Sequence, residues 1–442
     1  MTGLNATQNG NGDASSHVDD NANGTANDHS KGTSPFVKDQ IPISPNAPQE
    51  VPGLLSRIVS HGDAFLSADP DARLKLLEDA RALVNALETP RESMIRYCWA
   101  QSTIYAAIET GVDINLFHKL SRSDRPKSAA ELAENTGCDP VMLSRLLKHL
   151  AAMGVIAEAG QDLYRRTGFT IALCSEKYSD GFPLMTRRFT AGIHALPAYL
   201  KKNGYRNPTN PKDTALQLGF NTNLHFFDIT EQDPVTARQF NNHMSVYSLG
   251  RPSWMDVGFF PVQERLIEDS KITNDDVLLV DMGGSIGHDL SEFKRKWPDA
   301  PGRLILQDLP TVVCHAQGLD PAIQVTPHDF FTPQPVKGAR AYYMHSILHD
   351  WPDDMCRKIL ANLIPSLRPG YSKVLINENV IPDTGAYWET TSLDLIMMAI
   401  GSGERTRRHW HALLESAGLK IVNIWTAPAQ KGVESLIECE LV

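Results

Sequence analysis

The chain has 442 residues, 42% hydrophobic and 21% charged, a normal globular composition long enough for two or three domains. Its formal net charge of -10 argues against nucleic acid as the main partner, because a phosphate backbone needs clustered Lys and Arg. No apolar run reaches the roughly 20 residues of a membrane span, and the polar start MTGLNATQNG has neither the basic region nor the apolar core of a secretory signal. The six cysteines, at 98, 138, 174, 314, 356 and 439, lack CxxC or metal-ligand spacing. They read as reduced packing residues of a cytoplasmic protein with no bound metal.

Residues 1–48 are rich in Asn, Gly, Asp, Ser and Thr and nearly devoid of large apolar side chains. Such a stretch cannot bury enough surface to offset its ordering entropy, so a disordered tail is expected, with order beginning near Val51. A first domain is expected over 49–180. Within it, 72–87 places Leu74, Leu77, Ala80, Leu83, Val84 and Leu87 at helical spacing, and Pro90 blocks continuation. A second helix is expected over 92–110, apolar through Ile95, Trp99, Ile104 and Ile108, too oily for a free surface.

Residues 128–169 follow a winged-helix pattern. Ser128 with Glu131 forms a capping box, and residues 137–140 make the turn. The second helix, 141–153, aligns Leu143, Leu146, Leu147 and Leu150 and stops at Gly154. Val155-Ile156 and Leu163-Tyr164-Arg165 read as a small hairpin. The second helix offers only Arg145, Lys148 and His149 to a nucleic acid, so a helical interface domain is favoured over DNA binding.

The remainder, 181–442, is expected to be catalytic. Residues 181–272 are irregular, mostly helical and rich in aromatic and Met side chains, most of which should be core. Phe226, Met244, Tyr247 and Trp254, with Met397 and Met398 further on, are candidates for the wall of a flat apolar ligand pocket. From 277 the period becomes strand-helix-strand. Strands are expected at 277–281, 303–307, 323–326, 341–344 and 373–377, and helices at 353–366 and 405–416. A closing hairpin is expected over 420–426 and 435–441. This is an α/β class chain, a Rossmann-like open sheet with an antiparallel end.

Chemistry concentrates at the strand ends. VLLVDMGGSIG carries Asp281 directly before Gly283, Gly284 and Gly287. Glycines let backbone approach a ligand, and the helix that follows offers free N–H groups. An acid placed before the glycines engages a cationic ligand and repels a pyrophosphate, which favours S-adenosylmethionine over NAD. Asp308 in LILQDLP stands where a carboxylate can accept both ribose hydroxyls, although a helix cap before Pro310 competes for it. Asp329 and Phe330 in HDFF would suit an adenine amino group and ring; alone, they read equally well as a turn acid and a core aromatic. In YYMHSILHDWPDD, His349 follows a strand, and imidazole is the usual side chain for deprotonating a hydroxyl near neutral pH, with His345 a rival. Glu378 and Glu404 come from other strand ends, and a carboxylate beside a His orients it.

VDMGGSIGH, LQDLP, HDFF, LHDWPDD, VLINENVIP and SGERT together resemble, in order and spacing, the S-adenosylmethionine-dependent small-molecule O-methyltransferases of plants and fungi. The resemblance covers about 51–442, and the winged-helix stretch resembles that family's dimerisation domain. It implies a homodimer and a small-molecule substrate, with S-adenosyl-L-methionine as cofactor. It makes His349 the base, flanked by Glu378 and Glu404, and gives cofactor contacts to Gly283, Asp308, Asp329 and Phe330. Asp350 touches the substrate or holds the loop. Two departures stand out: Ser285 replaces the middle glycine of the family's loop, and His345 stands where plant relatives often carry Lys. The rival reading keeps the fold and the cofactor but replaces methyl transfer by a pericyclic or dehydrative step.

Overall fold

The computed structural model describes residues 43–247, 249–268, 271–427 and 431–442. The expected disordered tail lies outside these residues up to 42. From Asn46 the chain already has partners, because the N–H groups of Asn46 and Ala47 bond the carbonyls of Glu88 and Ala86 at 2.8 and 3.1 Å. Order therefore begins ahead of Val51.

Two helices, Val51–Leu66 and Ala72–Leu87, pair as a hairpin. Arg57 and His61 both meet the buried Asp79, each at 2.8 Å. The helix expected over 92–110 starts at Pro90, which takes the first helical position after a Thr89–Glu92 capping box. It runs through a π turn, Arg96–Ala100, into Gln101–Asp113. Leu55, Val59, Val84, Met94, Tyr97 and Trp99 of these helices are exposed.

The winged-helix pattern forms as expected, with helices Ala129–Thr136 and Pro140–Ala152. Leu143, Leu147 and Leu150 are wholly buried. Three short strands, β1 (Lys127–Ser128), β2 (Ala157–Gly160) and β3 (Leu163–Arg165), make the wing in the order β1-β3-β2. The first wing strand is thus two residues later than expected: Val155 and Ile156 are buried in the helical core, and the chain becomes free to pair only beyond them.

The larger sheet is built from β4 (Val277–Met282), β5 (Arg303–Asp308), β6 (Ile323–Pro327), β7 (Ala341–His345) and β8 (Lys373–Glu378). Two short strands, β9 (Val380–Ile381) and β10 (Arg405–Thr406), pair with each other. The hairpin β11 (Leu419–Trp425) and β12 (Ser435–Leu441) completes the larger sheet, in the order β11-β12-β8-β7-β4-β5-β6. β4 to β8 are parallel and the hairpin is antiparallel. Every residue of β4 and of β8 is buried, as continuous apolar strands covered on both faces should be. Alternate residues separate onto two cores. Val280, Tyr342 and Ile376 face Ile359 and Trp410; Leu279, Tyr343 and Leu375 face Trp254 and Phe293.

After β4 the chain steps outward to β5 and β6, then returns across β4 to place β7 on its other side. The reversal opens a crevice at the carboxyl ends of β4 and β7, where ligands bind in open α/β sheets. Both the glycine loop and the HSILHDW segment leave from those two ends. Among the described residues no helix is long and apolar enough to cross a membrane.

Candidate active site

The glycine loop is anchored through β5. The N–H groups of Gly283 and Gly284 bond the Gln307 carbonyl at 2.7 and 3.0 Å, and the Ser285 N–H donates to Asp308 Oδ2 at 2.8 Å. Ser285 takes the left-handed conformation, φ 53°. The departure from glycine is therefore absorbed by a backbone bond to Asp308. Asp308 also accepts the Leu309 N–H at 2.7 Å, but the helix Pro310–Val313 has Leu309 at its N-cap and no side-chain cap, so the competing helix-cap role is not the one Asp308 takes. A Cβ at Gly284 would collide with the Asp281 carboxylate, and one at Gly283 would meet Ile347 and Phe330. Gly283, Gly284 and Phe330 are thereby brought together around Asp281. Asp329 accepts the Phe331 N–H at 2.9 Å and turns the chain so that Phe330 reaches the loop. Gly287 has φ 88° and begins the helix His288–Lys296.

Asp281 is 1% exposed, and neither of its carboxylate oxygens has a hydrogen-bond partner among the described residues. Burial pushes its carboxyl well above the usual range, and the neighbouring Asp289 adds to this. An orphaned buried acid beside bare glycine backbone fits a cationic ligand. The residues present therefore suit an adenosyl sulfonium with a free ammonium.

The second half of the site forms around His349, on a short turn of Leu348–Asp350 after β7. Its Nδ1 lies 2.7 Å from Glu404 Oε1 and 3.9 Å from Glu378 Oε2, while Asp350 Oδ1 is 3.5 Å from Nε2. Glu378 ends β8 and accepts the N–H groups of Leu348 and His349 at 2.8 and 3.2 Å through Oε1. That bond fixes the turn and leaves its Oε2 beside the ring. The donor atoms of His349, Glu378 and Glu404 all lie within 4.8 Å of one another. Burial works to lower the His349 pKa, but Glu378, Asp350 and Glu404 outweigh it and hold it well above the ordinary value. Burial also lifts Asp350 to about 6 and Glu378 to about 7, against the pull of the imidazolium.

Four residues that the sequence reading passed over support this arrangement. Arg405 donates to the carbonyls of Leu348 and Trp351, each at 2.8 Å, and meets Asp353 Oδ1 at 2.9 Å, clamping the His349 turn from both ends. Its place next to Glu404 was the available signal. Ser402 Oγ bonds the His349 carbonyl. Asp394 accepts the Glu404 N–H at 2.8 Å. Trp351 gathers the aromatics: the His225 ring lies parallel to it at 5.2 Å, Phe331 meets it edge-on at 4.8 Å, and Phe227 and Phe330 lie at 6.3 Å.

The pocket candidates divide. Phe226 and Met397 share one buried cluster with Phe189 and Leu216, joined by partly buried Phe227 and Phe240. Met398 is half-buried on the same helix, Trp388–Ala399. Met244 is 42% exposed and outside that cluster. Trp254 must be moved to the core: at 2% exposure it packs against Phe260, Phe293 and Tyr343 below the sheet, the ordinary position for a large apolar ring. The side chain of Tyr247 lies outside the described residues. Free thiols follow the expected packing at Cys356 and Cys439, which are buried, whereas Cys98 and Cys314 are exposed.

Comparison with known proteins agrees with this geometry. Residues 222–420 match the model of the O-methyltransferase domain, and 97–175 match that of the O-methyltransferase dimerisation domain. The chain is 37% identical to O-methyltransferase mpaG of Penicillium brevicompactum, over 88% of this chain and 98% of that one. A solved structure described as a pericyclic reaction enzyme superposes with TM-score 0.80 at 31% identity, covering 89% of this chain and 100% of the other. OxaC in complex with SAH and oxaline gives TM-score 0.77 at 26% identity, over 89% and 99%. With the orphaned Asp281 at the glycine loop and His349 set between two glutamates, these matches make the chain a member of the S-adenosylmethionine-dependent O-methyltransferase family.

Proposed function

We propose that the chain methylates a hydroxyl of a flat, apolar aromatic or polyketide-type small molecule in secondary metabolism, with His349 as the base. The observation that carries this reading is the 2.7 Å contact of His349 Nδ1 with Glu404, with Glu378 Oε2 3.9 Å from the same nitrogen. That contact fixes the tautomer: Nδ1 carries the proton and Nε2 is left to take one from the acceptor hydroxyl. The imidazolium so formed is stabilised by Glu404, Glu378 and Asp350. The cofactor, when bound, supplies an electrophilic methyl on sulfur. Asp281, the loop glycines, Asp308, Asp329 and Phe330 would hold it at the end of β4, next to the base on β7. Phe226, Met397, Met398 and the rings around Trp351 would orient a flat acceptor and exclude water, which raises effective molarity.

The test is product mass. Purified protein with S-adenosylmethionine and the acceptor should give a product 14 mass units heavier with one S-adenosylhomocysteine per turnover. A rearranged product of unchanged mass, with no S-adenosylhomocysteine, would replace methyl transfer by the pericyclic reading, which the solved structure described as a pericyclic reaction enzyme keeps as an alternative.

We further infer that the working unit is a homodimer. Support comes from the match of 97–175 to a dimerisation domain and from the exposed Met94, Tyr97 and Trp99 at the start of that stretch. Light scattering on size-exclusion eluate should give about twice the 48.9 kDa chain mass; a monomer at micromolar concentration would end the idea.

A further inference from the structure

The step from β7 into the turn that carries His349 passes through one strained residue. Ser346 has φ 50°, in the left-handed region that costs an L side chain and that glycine adopts freely. Its N–H still bonds the Asn377 carbonyl of β8 at 3.1 Å, so the strand ladder runs up to this residue and the chain departs here. Directly beyond it, the N–H groups of Leu348 and His349 reach Glu378 Oε1, and the Ile347 side chain occupies the space that a Cβ on Gly283 would need. A strained conformation persists only where its surroundings hold it.

The holder is Glu434, which directly precedes β12 and is 8% exposed. Its Oε1 accepts the Ser346 hydroxyl at 3.1 Å. Its Oε2 accepts Asn377 Nδ2 at 3.3 Å and lies 2.9 Å from His345 Nε2. His345 is fixed on its other side, with Nδ1 2.7 Å from Asp289 Oδ2, and the Tyr343 hydroxyl donates to the same oxygen at 2.9 Å. The rival base is thus occupied on both ring nitrogens. One carboxylate grips three residues around the strained step: the last of β7, the one after it, and the last but one of β8. Burial opposes the charged form of Glu434, but His345 outweighs burial and holds the carboxyl below its usual range, which keeps both oxygens as acceptors.

We propose that Glu434 is a positioning residue for the base: by holding the Ser346 hydroxyl it keeps the left-handed step that carries the turn to Glu378 and Glu404. This rests on the reading of His349 as the base. The choice of serine follows from the same argument. Glycine would take φ 50° without cost, but it has no hydroxyl to hold and its freedom lets the turn follow other paths. Alanine would carry the strain with nothing to pin it. Serine gripped by Glu434 is both strained and pinned, so the ring of His349 is set in one place. That matters for rate, because a displacement of about 1 Å at a reacting centre can cost roughly 10²-fold.

The test pairs Ser346→Ala with Ser346→Gly in the full chain. Both lose the hydroxyl, and only glycine tolerates the left-handed step. With naphthol as a flat phenolic probe and S-adenosylmethionine as donor, Ser346→Ala should lower kcat about tenfold or more and Ser346→Gly less than about threefold, with the KM for S-adenosylmethionine kept within about threefold in both. Glu434→Ala should lose kcat as Ser346→Ala does. Adding Ser346→Gly to Glu434→Ala should restore most of it, which a residue that merely stabilises the fold would not show. Equal loss in the two serine variants, or no recovery in the double variant, would overturn the proposal; if Glu434→Ala fails to fold, the serine pair decides. Amide hydrogen exchange reads the same turn without an acceptor. At Leu348 and His349 it should be faster in Ser346→Ala than in Ser346→Gly, and equal rates would overturn the proposal. Failure of the wild type to methylate naphthol would instead count against the flat phenolic acceptor, and exchange at these two amides would then decide the role of Glu434.

Discussion

His349→Ala should lower kcat/KM by roughly 10²- to 10⁴-fold while leaving S-adenosylhomocysteine affinity within about twofold, because the ring acts on the acceptor hydroxyl. Binding and chemistry separate in this way since the residues proposed to hold the cofactor leave from β4, β5 and β6, whereas the proposed base, His349, stands on the turn after β7. The substitution has a structural cost. Glu378 and Glu404 are 1% and 8% exposed, and removing the ring leaves both without the charge between them. His349→Asn is the control, because its amide can still donate toward Glu404. Retained turnover by a folded Asn variant would take the proton-transfer role from His349, whatever the Ala variant does.

Glu404→Gln should shift the acid limb of the pH–rate profile downward and reduce kcat on the order of 10²-fold at the optimum. Activity needs the neutral ring, so the rate climbs as pH rises through the His349 pKa. That pKa stands well above its ordinary value because Glu378, Asp350 and Glu404 outweigh burial. Deleting the Glu404 charge removes one of the three, so the ring loses its proton at lower pH and the limb moves with it. The same loss makes the ring a weaker base, which accounts for the fall in kcat. Glu378→Gln should shift the limb in the same direction. It should also loosen the turn, since Glu378 Oε1 holds two backbone N–H groups there. A limb that stays in place in Glu404→Gln would mean that the ionisation being read belongs to another group.

Much of this arrangement was legible from the sequence because the groups concerned sit where periodicity changes. Continuous apolar strands that end in an acid or a glycine announce the carboxyl edge of a parallel sheet, and Asp281, Asp308, His349 and Glu378 all lie there. Residues whose role depends on distant partners were not legible. Glu434 directly precedes β12 and meets His345, 89 residues earlier in the chain, and no local pattern links the two. His225 lies parallel to Trp351 across a still longer separation in the chain. Trp254 was misread for the converse reason: an aromatic in an irregular segment has the same local signature whether it lines a pocket or fills a core. Val155 and Ile156 were placed in a strand by β-propensity, and burial among the winged-helix leucines prevailed over it.

The bond from Glu404 N–H to Asp394 has a consequence for engineering. The helix Trp388–Ala399 supplies Met397 to the buried apolar cluster proposed as the acceptor wall, and Asp394 to the segment that carries Glu404 to His349, the proposed base. Selectivity and rate therefore share a mechanical support, and acceptor preference is not an independently exchangeable part. Grafting the helix alone from a relative would retune the wall and disturb the carboxylate behind His349 in the same step. The natural cassette runs from 388 through 406, so that the incoming helix brings its own Glu and Arg with it.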